Sequence, residues 1–439
     1  MRKYLGPAAL ALVLLTACTS GKTDDATATT AAADPSATTA PPSGDGETTT
    51  TAAGGETPTG PAPGVTDTSV KIGVNIVDTD ALRAAGIDIA TGDIQGAYQA
   101  LADDINAAGG INGRQLELVF ALIDPTSPQP AEDACLKLTE DDDVFLTLGF
   151  FLGDAVLCTI ETHSTAVVGG TQNAELLSRA QAPWYSFESA DQEVDVVHAF
   201  AEAGELDGTV ALLSNSNDDI TAVTAQLAED GIDPATSAVI DAPNNDTAAM
   251  NAAVLTISQS FEAAGVDTIL AAGTSGSQWA TAMQDQPYRP RMLFPNNTIQ
   301  AFVQGNATRD LSVLDGAIRG GLYGPDQAVY EEANMQACIA KLEDAGVEIV
   351  APVDAPEGDQ PYYAAFSSCR DMTLLQALLE NAGPTLNYGT LKQSGDTLGE
   401  LAIPGDPTPA NYGPDSPDGD VAQHLFRFDA DARDFVLDE

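Results

Sequence analysis

The sequence predicts an α/β protein in which doubly wound layers of parallel sheet and helix are divided between two domains. A strand, a helix and a second strand follow one another between Val70 and Leu122, and this order implies a parallel sheet. From Val144 onward, short apolar segments alternate with helical runs. The region from Thr66 to Glu439 is too long for one ordinary hydrophobic core, so we expect two domains.

The first strand–helix–strand unit follows from its apolar spacing. Residues 70–77 place β-branched side chains at alternate positions and lead into an irregular loop over 78–93. The helix that follows ends at Gly109 and Gly110, because glycine tolerates a positive φ, and alternation resumes over 115–120. One face of this helix carries the apolar residues Ile94, Ala97, Leu101 and Ile105.

The rest of the chain repeats this alternation. Helices are predicted at 220–229 and at 248–264, the second ended by Gly265. Such alternation is typical of doubly wound layers. The predicted strands are 144–148, 165–168, 210–213, 238–240, 268–271 and 292–294.

Two motifs carry a family resemblance. Residues 102–114 read Ala-Asp-Asp-Ile-Asn-Ala-Ala-Gly-Gly-Ile-Asn-Gly-Arg. This run resembles the first helix and turn of the periplasmic binding proteins for branched-chain amino acids, the type I fold, in which D-I-N-x-x-G-G-I-x-G recurs. The turn over 412–420 and the segment 424–428 resemble the family's G-P-x-x-(x)-D-G-D turn and the terminal strand of its second lobe.

The resemblance implies two Rossmann-like lobes joined by a three-segment hinge. The chain would cross between lobes near Glu188, near Pro325 and near Leu401. Lobe one would contain 66–188 and 326–400, and lobe two would contain 189–325 and 401–439.

The N-terminus looks like a lipoprotein signal. A basic start, Met1-Arg2-Lys3, precedes an apolar run over 8–15 that is too short for a permanent membrane helix. Leu15-Thr16-Ala17-Cys18 resembles a bacterial lipobox, in which Cys18 is diacylated and becomes the mature N-terminus after removal of the signal. The alternative is a signal cleaved nearby, with an incidental cysteine. We expect residues 1–18 to be the signal with its lipobox.

Residues 19–65 are predicted to form a disordered tether. They are almost entirely Thr, Ala, Pro, Gly, Ser and acidic residues, and no aromatic side chain is present to bury. Such a composition does not offset the entropy of ordering. Whether the threonines are glycosylated is left open.

The charge of the chain excludes some partners. With 17 basic and 65 acidic residues, the net charge is −48 at pH 7, which repels phosphate backbones and anionic lipid headgroups. We therefore expect no nucleic-acid partner, contact with the membrane through the lipid anchor alone, and a soluble, monomeric acidic domain.

Four cysteines besides Cys18 favour disulfides in an oxidising compartment. The resemblance implies a bond between Cys135 and Cys158, because family members have a disulfide in the same topological place. Cys338 and Cys369 lie in two helical runs and could bridge neighbouring helices. A metal site is the alternative, but no C-x-x-C pair is present, so we expect no metal.

Catalytic motifs are sparse. His163, His198 and His424 are far apart in sequence and have no metal-ligand spacing. The segment around Ser275 resembles a nucleophile elbow only superficially, because Ser277 stands where the second glycine is needed. No phosphate-binding or dinucleotide-binding loop is found, so we expect neither a cofactor nor an enzyme.

The loops after the strands are the candidate ligand site, because ligands of open α/β sheets bind outside the carboxyl ends of the strands. Hydroxyls, amides and backbone N–H groups dominate these loops, and aromatic residues, including Trp279, could stack on a ligand. The alternative is that these residues are ordinary turn formers. The candidates are Asp78, Thr79, Phe150, Phe151, Thr171 and Gln172 in lobe one, and Asn217, Thr274, Ser275 and Asn297 in lobe two.

Several positions depart from the pattern of amino-acid binders. The first loop is acidic, Phe150 and Phe151 replace hydroxyl residues, and Asn296-Asn297 stands where a carboxylate is expected. A neutral amide, a polyol or another small polar solute is therefore as good a ligand as an amino acid.

The resemblance as a whole implies a lipid-anchored, extracytoplasmic solute-binding protein of an ABC importer, with a membrane permease as partner. A ligand-sensing subunit of a signalling partner and an exported hydrolase are the alternatives.

Overall fold

The fold is seen in a computed structural model that describes most of the chain after residue 59. Cys18, the predicted signal and almost all of the predicted tether lie outside the described residues. Within the described part, no helix has the length and apolar character needed to cross a membrane. The described residues are 60, 62–85, 89–189, 192–243, 246–304, 308–356 and 359–438.

Five parallel strands form the first sheet. The strand formed by Ser69–Val77, an inner strand of this sheet, is buried along most of its length, as expected for a strand covered on both faces. In chain order the strands are Ser69–Val77 (β1), Gln115–Ile123 (β2), Leu146–Gly149 (β3), Ala166–Val168 (β4) and Trp184–Tyr185 (β5).

Seven strands form the second sheet, five of them parallel and the last two antiparallel. The strands are Val210–Ser214 (β6), Thr236–Val239 (β7), Thr268–Ala271 (β8), Arg291–Phe294 (β9), Ile318–Gly321 (β10), His424–Asp429 (β13) and Asp434–Leu437 (β14). A separate antiparallel pair is formed by Gly399–Leu401 (β11) and Ala410–Tyr412 (β12).

Helices connect and cover the strands. Those before residue 210 are Thr79–Ala84 (α1), Ile94–Ala107 (α2), Gln129–Leu136 (α3), Ala174–Arg179 (α4) and Gln192–Glu202 (α5). The second sheet carries Asn217–Glu229 (α6), Thr247–Ala263 (α7), Ser275–Met283 (α8) and Gln300–Gln304 (α9). The later helices are Asp326–Glu331 (α10), Ala333–Asp344 (α11), Tyr363–Ala382 (α12) and Tyr388–Asp396 (α13).

Local sequence explains where the first long helix begins and ends. Asp93 caps α2, because its carboxylate accepts the Gly96 N–H at 2.8 Å. Gly109 and Gly110 follow the helix with φ of +111° and +72°. A Cβ on Gly110 would lie 2.0 Å from the Arg114 carbonyl oxygen, so the turn requires glycine there.

Both sheets share one strand order. The parallel strands run β2-β1-β3-β4-β5 in the first sheet and β7-β6-β8-β9-β10 in the second. In each sheet the strand order reverses beside the first strand, between β1 and β3 and between β6 and β8. This confirms the predicted α/β class with parallel sheets flanked by helices, and each reversal is a place where open sheets bind ligands.

The core of the first sheet includes helices from much later in the chain. Leu374, Leu375 and Leu378 of α12 are fully buried in the same cluster as the residues of β1 and α2. The two faces of the second sheet have their own clusters.

The C-terminal segment is shared between the two sheets. Ile403, Ala410 and Tyr412 are buried in the cluster of the first sheet, whereas β13 and β14 belong to the second sheet. The interpretation from sequence grouped all of 401–439 with lobe two. In the structure the chain enters the second sheet only after Tyr412.

The first loop was predicted wrongly as irregular throughout. Asp78 caps the short helix α1 by accepting the N–H groups of Asp80 and Ala81, both at 3.0 Å. Strands β5, β10, β11, β12 and β14 were not predicted from the sequence.

Two disulfides are present, Cys135–Cys158 and Cys338–Cys369, with Cα atoms 6.2 and 6.1 Å apart. The first is the pair implied by the family resemblance, and the second joins α11 to α12. Both predicted pairs are confirmed.

Candidate functional site

The candidate site lies where the carboxyl ends of the two sheets come together near the hinge. In the first sheet, Gly149 ends β3 beside β1, and a Cβ on Gly149 would lie 2.3 Å from the Asn75 carbonyl oxygen. Only glycine allows this close approach of β3 to β1 at the switch point, where the Asn75 carbonyl accepts the Phe150 N–H at 2.9 Å.

Glu188 follows β5 at the first crossing. Its carboxylate is half-buried and accepts one long hydrogen bond, 3.5 Å, from Thr171 Oγ1 in the loop after β4. Burial raises the pKa of Glu188, although the nearby Arg370 guanidinium acts in the opposite direction. The loop is held in place by Gln172, whose Nε2 donates to the Trp184 carbonyl at 3.0 Å.

A second acid approaches the same loop from α12. The Asp371 carboxyl is buried and accepts a short hydrogen bond from the Tyr98 hydroxyl of α2. Its other oxygen lies 3.7 Å from the position that a Cβ on Gly169 would occupy, directly after β4. Burial raises the pKa of Asp371 to about 7.

Arg370 lies beside these acids, and its two terminal nitrogens are bonded to groups of the fold, whereas its Nε is buried without a partner in the described structure. Its guanidinium is buried, pairs with Asp406 through both terminal nitrogens and donates to the Pro404 carbonyl at 3.0 Å. Its Cζ lies 4.5 Å from the ring centre of Phe187 and 5.0 Å from that of Phe366. The arginine therefore ties α12 to the first and third crossings.

Tyr323 connects the second sheet to α12. It follows β10, and its ring centre is 5.2 Å from that of Phe366 on α12. The Tyr323 carbonyl accepts from both terminal nitrogens of the buried Arg319, at 3.2 Å each. Burial lowers the pKa of Arg319 to about 10, well above neutral pH.

The loops of the second sheet form their own polar network. The Glu193 carboxylate at the start of α5 accepts the Gly273 N–H at 3.2 Å and an N–H of the Asn296 side chain. Thr274 Oγ1 donates to Asn215 Oδ1 at 3.0 Å. Burial raises the pKa of Glu193 despite these donors. The network lies at the carboxyl ends of β6, β8 and β9.

The candidate residues from the sequence have different environments. Asn217 is exposed at the first residue of α6, Asn297 is exposed in the loop after β9, and Thr79 is the first residue of α1. Phe150 and Phe151 are partly buried against two small apolar clusters on the first sheet. Among the described residues, no hydrogen bond joins the lobe-one candidates to those of lobe two, and their contact with ligand stays a prediction.

Three assignments need correction. The Ser275 hydroxyl is buried and lies 2.7 Å from the Ala272 carbonyl, so it stabilises the turn before α8. Trp279 is buried in the core of the second sheet, where it stacks on Phe261 at 6.1 Å, and is not a wall of the cleft. Gln172 is buried and holds its own loop, as described above.

The sequence interpretation missed the acids near the hinge. Glu188 was noted only as a crossing point, because the two-residue strand before it was not predicted. Arg370 and Asp371 are visible in the sequence as two adjacent charges between Cys369 and Met372, within a helix that is rich in apolar residues. Charged residues are rarely fully buried unless they are paired.

One group of side chains has the composition of a metal site. The ligand atoms of Cys135, Cys158 and His163 lie within 4.8 Å of one another. The two sulfur atoms are bonded to each other in the disulfide, so they are not thiolate ligands.

Comparison with known proteins identifies the fold. No family model matches the chain. An amino acid binding protein of Pseudomonas aeruginosa is 31% identical over 107 residues, and this match spans 24% of the chain and 28% of that protein. The chain thus aligns with only a quarter or so of this relative's length.

Solved structures match over most of the chain. A type 1 periplasmic binding protein from Bordetella pertussis has a TM-score of 0.56 at 14% identity, with 84% of this chain and 99% of that chain covered. An ABC transporter solute-binding protein of R. palustris in complex with 4-hydroxybenzoate has a TM-score of 0.57 at 13% identity, with 84% and 96% covered. Together with the two sheets of like strand order, these matches show that the chain has the type I periplasmic binding protein fold of ABC transporter substrate-binding proteins.

Proposed function

We propose that this chain is the solute-binding protein of an ABC importer, which closes two lobes on a small polar solute and delivers it to a membrane permease. The observation that carries the proposal is the meeting of the two sheets at one polar site. Thr171 and Glu188 lie in the loops after β4 and β5, and Tyr323 lies just after the end of β10. Solved proteins of this fold bind small solutes, which supports the same use here.

The lobes would move about the three crossings. Lobe one would contain 66–188 and 326–400, and lobe two 189–325 and the end of the chain. The Tyr323–Phe366 ring contact, at 5.2 Å, lies between a strand end of the second sheet and a helix packed on the first. A ligand that touches both lobes binds the closed form better and shifts the population towards it.

The protein acts, on this proposal, outside the cytoplasm and on the cell membrane, held there by diacylated Cys18. Two disulfides support an oxidising compartment. No catalytic role is proposed, and Ser275, the one residue whose surroundings resemble a nucleophile elbow in the sequence, is a buried structural residue.

Ligand screening tests the proposed function. Refolded, oxidised protein would be screened by thermal shift and native mass spectrometry against amino acids, amides, polyols, amines, aromatic acids and nucleosides. A binding protein should gain stability by RT ln(1 + [L]/Kd), about 2.7 kcal/mol when the ligand is at 100 times Kd. If no solute of any class binds, or if a bound solute is turned over, the proposal is wrong.

Anchoring has a separate test. Acylation requires the thiol of Cys18, so Cys18→Ser should release the protein into the medium or leave the signal uncleaved. Mass spectrometry of the mature N-terminus and fractionation of cells report this directly. A wild-type protein without attached lipid would contradict the anchor and leave ligand binding unaffected.

A further inference from the structure

We propose that the reduced chain, in which the cysteines are thiols, binds one Zn²⁺ between Cys135, Cys158 and His163, with Glu140 as the fourth ligand. The metal and the Cys135–Cys158 bond are alternatives, because a sulfur atom in a disulfide is not a thiolate ligand. This site is separate from the solute site and does not depend on the proposed function.

The ligand atoms of three of these residues are already close together. The sulfur atoms of Cys135 and Cys158 and a ring nitrogen of His163 lie within 4.8 Å of one another. The His163 Nε2 is 3.8 Å from the Oε1 of the exposed Glu140 side chain. Zinc bonds of about 2.3 Å to sulfur and about 2.0–2.1 Å to nitrogen and oxygen place tetrahedral ligand atoms roughly 3.3–3.8 Å apart. Small side-chain rotations therefore bring this set to the geometry of a zinc site.

The backbone positions these residues without help from the disulfide. A π-helical turn, Cys158–Thr162, is closed by the His163 N–H, which donates to the Cys158 carbonyl at 3.0 Å and so joins two of the ligands. A second π-helical turn, Lys137–Asp141, follows α3 directly and carries Glu140. Such turns are rare, and they are frequent at functional sites.

The Cys135 sulfur has room to move when the disulfide opens. Cys135 lines a small cavity together with Asn75, Phe151 and Thr159. Asn75 is 5% exposed, and its Oδ1 has no hydrogen-bond partner within the described structure, so the cavity offers an acceptor to a thiol or a water. Two sulfur atoms on one zinc ion lie about 3.8 Å apart, and this space allows that separation.

The charge of the protein favours a divalent cation at this place. A net charge of −48 raises the local concentration of cations around the chain. Two thiolates and the Glu140 carboxylate bring three negative charges, of which zinc neutralises two. Lys137, the cation in the same π-helical turn, is already paired with Asp142 at 2.5 Å.

The second disulfide provides an internal comparison. The Cα atoms of Cys338 and Cys369 are 6.1 Å apart, against 6.2 Å for the first pair. In the part of the chain that the structure describes, the group that contains His163 is the only set of three or more possible ligands so close together. The two cysteine pairs therefore differ in the imidazole beside them.

Metal binding and oxidation form two balanced steps. Zn²⁺ binds both cysteines as thiolates, and their two protons pass to water. An oxidant that itself carries a disulfide then takes two electrons from the thiolates. The Cys135–Cys158 bond forms, the S–S bond of the oxidant breaks, its sulfur atoms take up two protons, and Zn²⁺ is released. Zinc therefore opposes formation of this disulfide and leaves the other one unaffected.

Cobalt titration of two double variants tests the site. Cys338→Ser with Cys369→Ser retains the proposed ligands, and Cys135→Ser with Cys158→Ser retains the other pair. Both carry Cys18→Ser, are reduced with a phosphine, and are desalted without oxygen. We expect the first variant to bind one Co²⁺ with the visible absorption of tetrahedral cobalt and an ultraviolet sulfur-to-cobalt band, and Zn²⁺ to displace it. The second should bind at least about tenfold more weakly, because loss of even an outer partner of a metal ligand costs roughly 10–100-fold.

Single substitutions then identify the remaining ligands. In the variant that retains the proposed site, His163→Ala should weaken cobalt binding at least about tenfold. Glu140→Gln should weaken it less, because zinc sites also accept water as a fourth ligand. The matched control is His198→Ala on α5, a histidine outside this group, which should change the affinity less than about twofold.

Equilibrium with glutathione tests the same inference from the folded, oxidised protein. Mature protein is equilibrated at several ratios of reduced to oxidised glutathione, with and without Zn²⁺, and alkylation followed by peptide mass spectrometry reports each cysteine pair. When free Zn²⁺ is at 100 times Kd, mass action should raise the equilibrium constant for reduction of Cys135–Cys158 about 100-fold. The constant for Cys338–Cys369 should not change.

Three results would overturn the zinc site. They are equal cobalt affinity in the two double variants, unchanged affinity in His163→Ala, and a glutathione equilibrium of Cys135–Cys158 that does not respond to zinc. If circular dichroism shows that the reduced variants do not fold, the glutathione equilibrium alone decides, because it starts from the oxidised wild type.

Discussion

At the scale of single residues, Asp371 couples the site to pH. Its folded pKa of about 7 is raised by burial, so the protonated form is favoured in the folded state. The stability that this gives is fully present below the ordinary pKa of about 3.9 and is lost as pH rises through 7.

We therefore predict that Asp371→Asn gains stability relative to the wild type as pH increases. The asparagine keeps an acceptor for the Tyr98 hydroxyl and does not ionise. The difference in unfolding free energy should shift by on the order of 2–4 kcal/mol between pH 4.5 and pH 8, since each pKa unit corresponds to about 1.4 kcal/mol. Urea unfolding at several pH values measures it, and a difference that does not change with pH would contradict the assignment.

The Arg370–Asp406 pair gives a second prediction at this scale. Asp406→Ala should cost about 3–5 kcal/mol, because it leaves a buried guanidinium without its counter-charge. The double variant Arg370→Met with Asp406→Ala should recover much of this loss. Asp396→Ala, which breaks the exposed pair with Lys392, serves as the control and should cost less than about 1 kcal/mol. If Asp406→Ala and Asp396→Ala lower the free energy of unfolding equally in denaturant, burial of the Arg370–Asp406 pair is unimportant.

Residue roles were the least predictable part from sequence. Asp78 caps a helix and Ser275 closes a turn, although both residue types also bind ligands. The physical reason is that hydroxyls and carboxylates satisfy backbone N–H groups and ligand groups with the same geometry. The sequence placed the candidates in loops that follow strands, but it could not tell which side chains the fold itself would use.

At the scale of elements, strands with clear apolar runs were predicted well. The strand predicted at 268–271 is β8, residue for residue. β10 was missed because Arg319 and two glycines interrupt its apolar pattern, and the structure buries that arginine against Phe426 and Phe435. β5 has only two residues, which is too short to show alternation.

The disulfides give a prediction for the elements that they join. The bonds span 23 and 31 residues, for which the chain-entropy model gives roughly 3 kcal/mol each. Reduction should lower the melting temperature clearly. Replacing Cys338 and Cys369 together by serine should reproduce part of that loss, and the remaining bond should account for the rest. Melting curves that do not respond to reductant, despite thiol titration showing reduction, would refute a stabilising role.

At the scale of the whole molecule, closure is the property to test. Moving the population from mostly open to mostly closed requires about 5.5 kcal/mol of differential affinity, which a few hydrogen bonds from each lobe could supply. Thr171→Ala and Asn297→Ala should weaken ligand binding and leave the melting temperature of the ligand-free protein nearly unchanged. X-ray scattering with a verified ligand should show compaction. Intact affinity in both variants would mean that these residues are wrongly placed in the cleft.

The division of the chain between lobes was not readable from residues alone. Apolar spacing predicts that α12 is buried, but it does not say against which sheet. The family resemblance supplied that assignment. The structure adds that Ala410 and Tyr412 return to the first core before the chain joins the second sheet.

Helix α12 lies late in the chain, and this position affects how the protein folds while it is being made. If the chain is exported as proposed, it leaves the translocation channel N-terminus first, so β1 to β5 emerge well before the helix whose Leu374 and Leu378 help to cover one face of their sheet. Until that helix appears, the apolar face of the first sheet is covered only in part, by α2, and its exposed apolar surface is prone to aggregation. We expect the emerging N-terminal half to depend on holding chaperones outside the cytoplasm, and the Cys338–Cys369 bond to form only at the end of this vectorial folding, as the step that fixes the late helix in place.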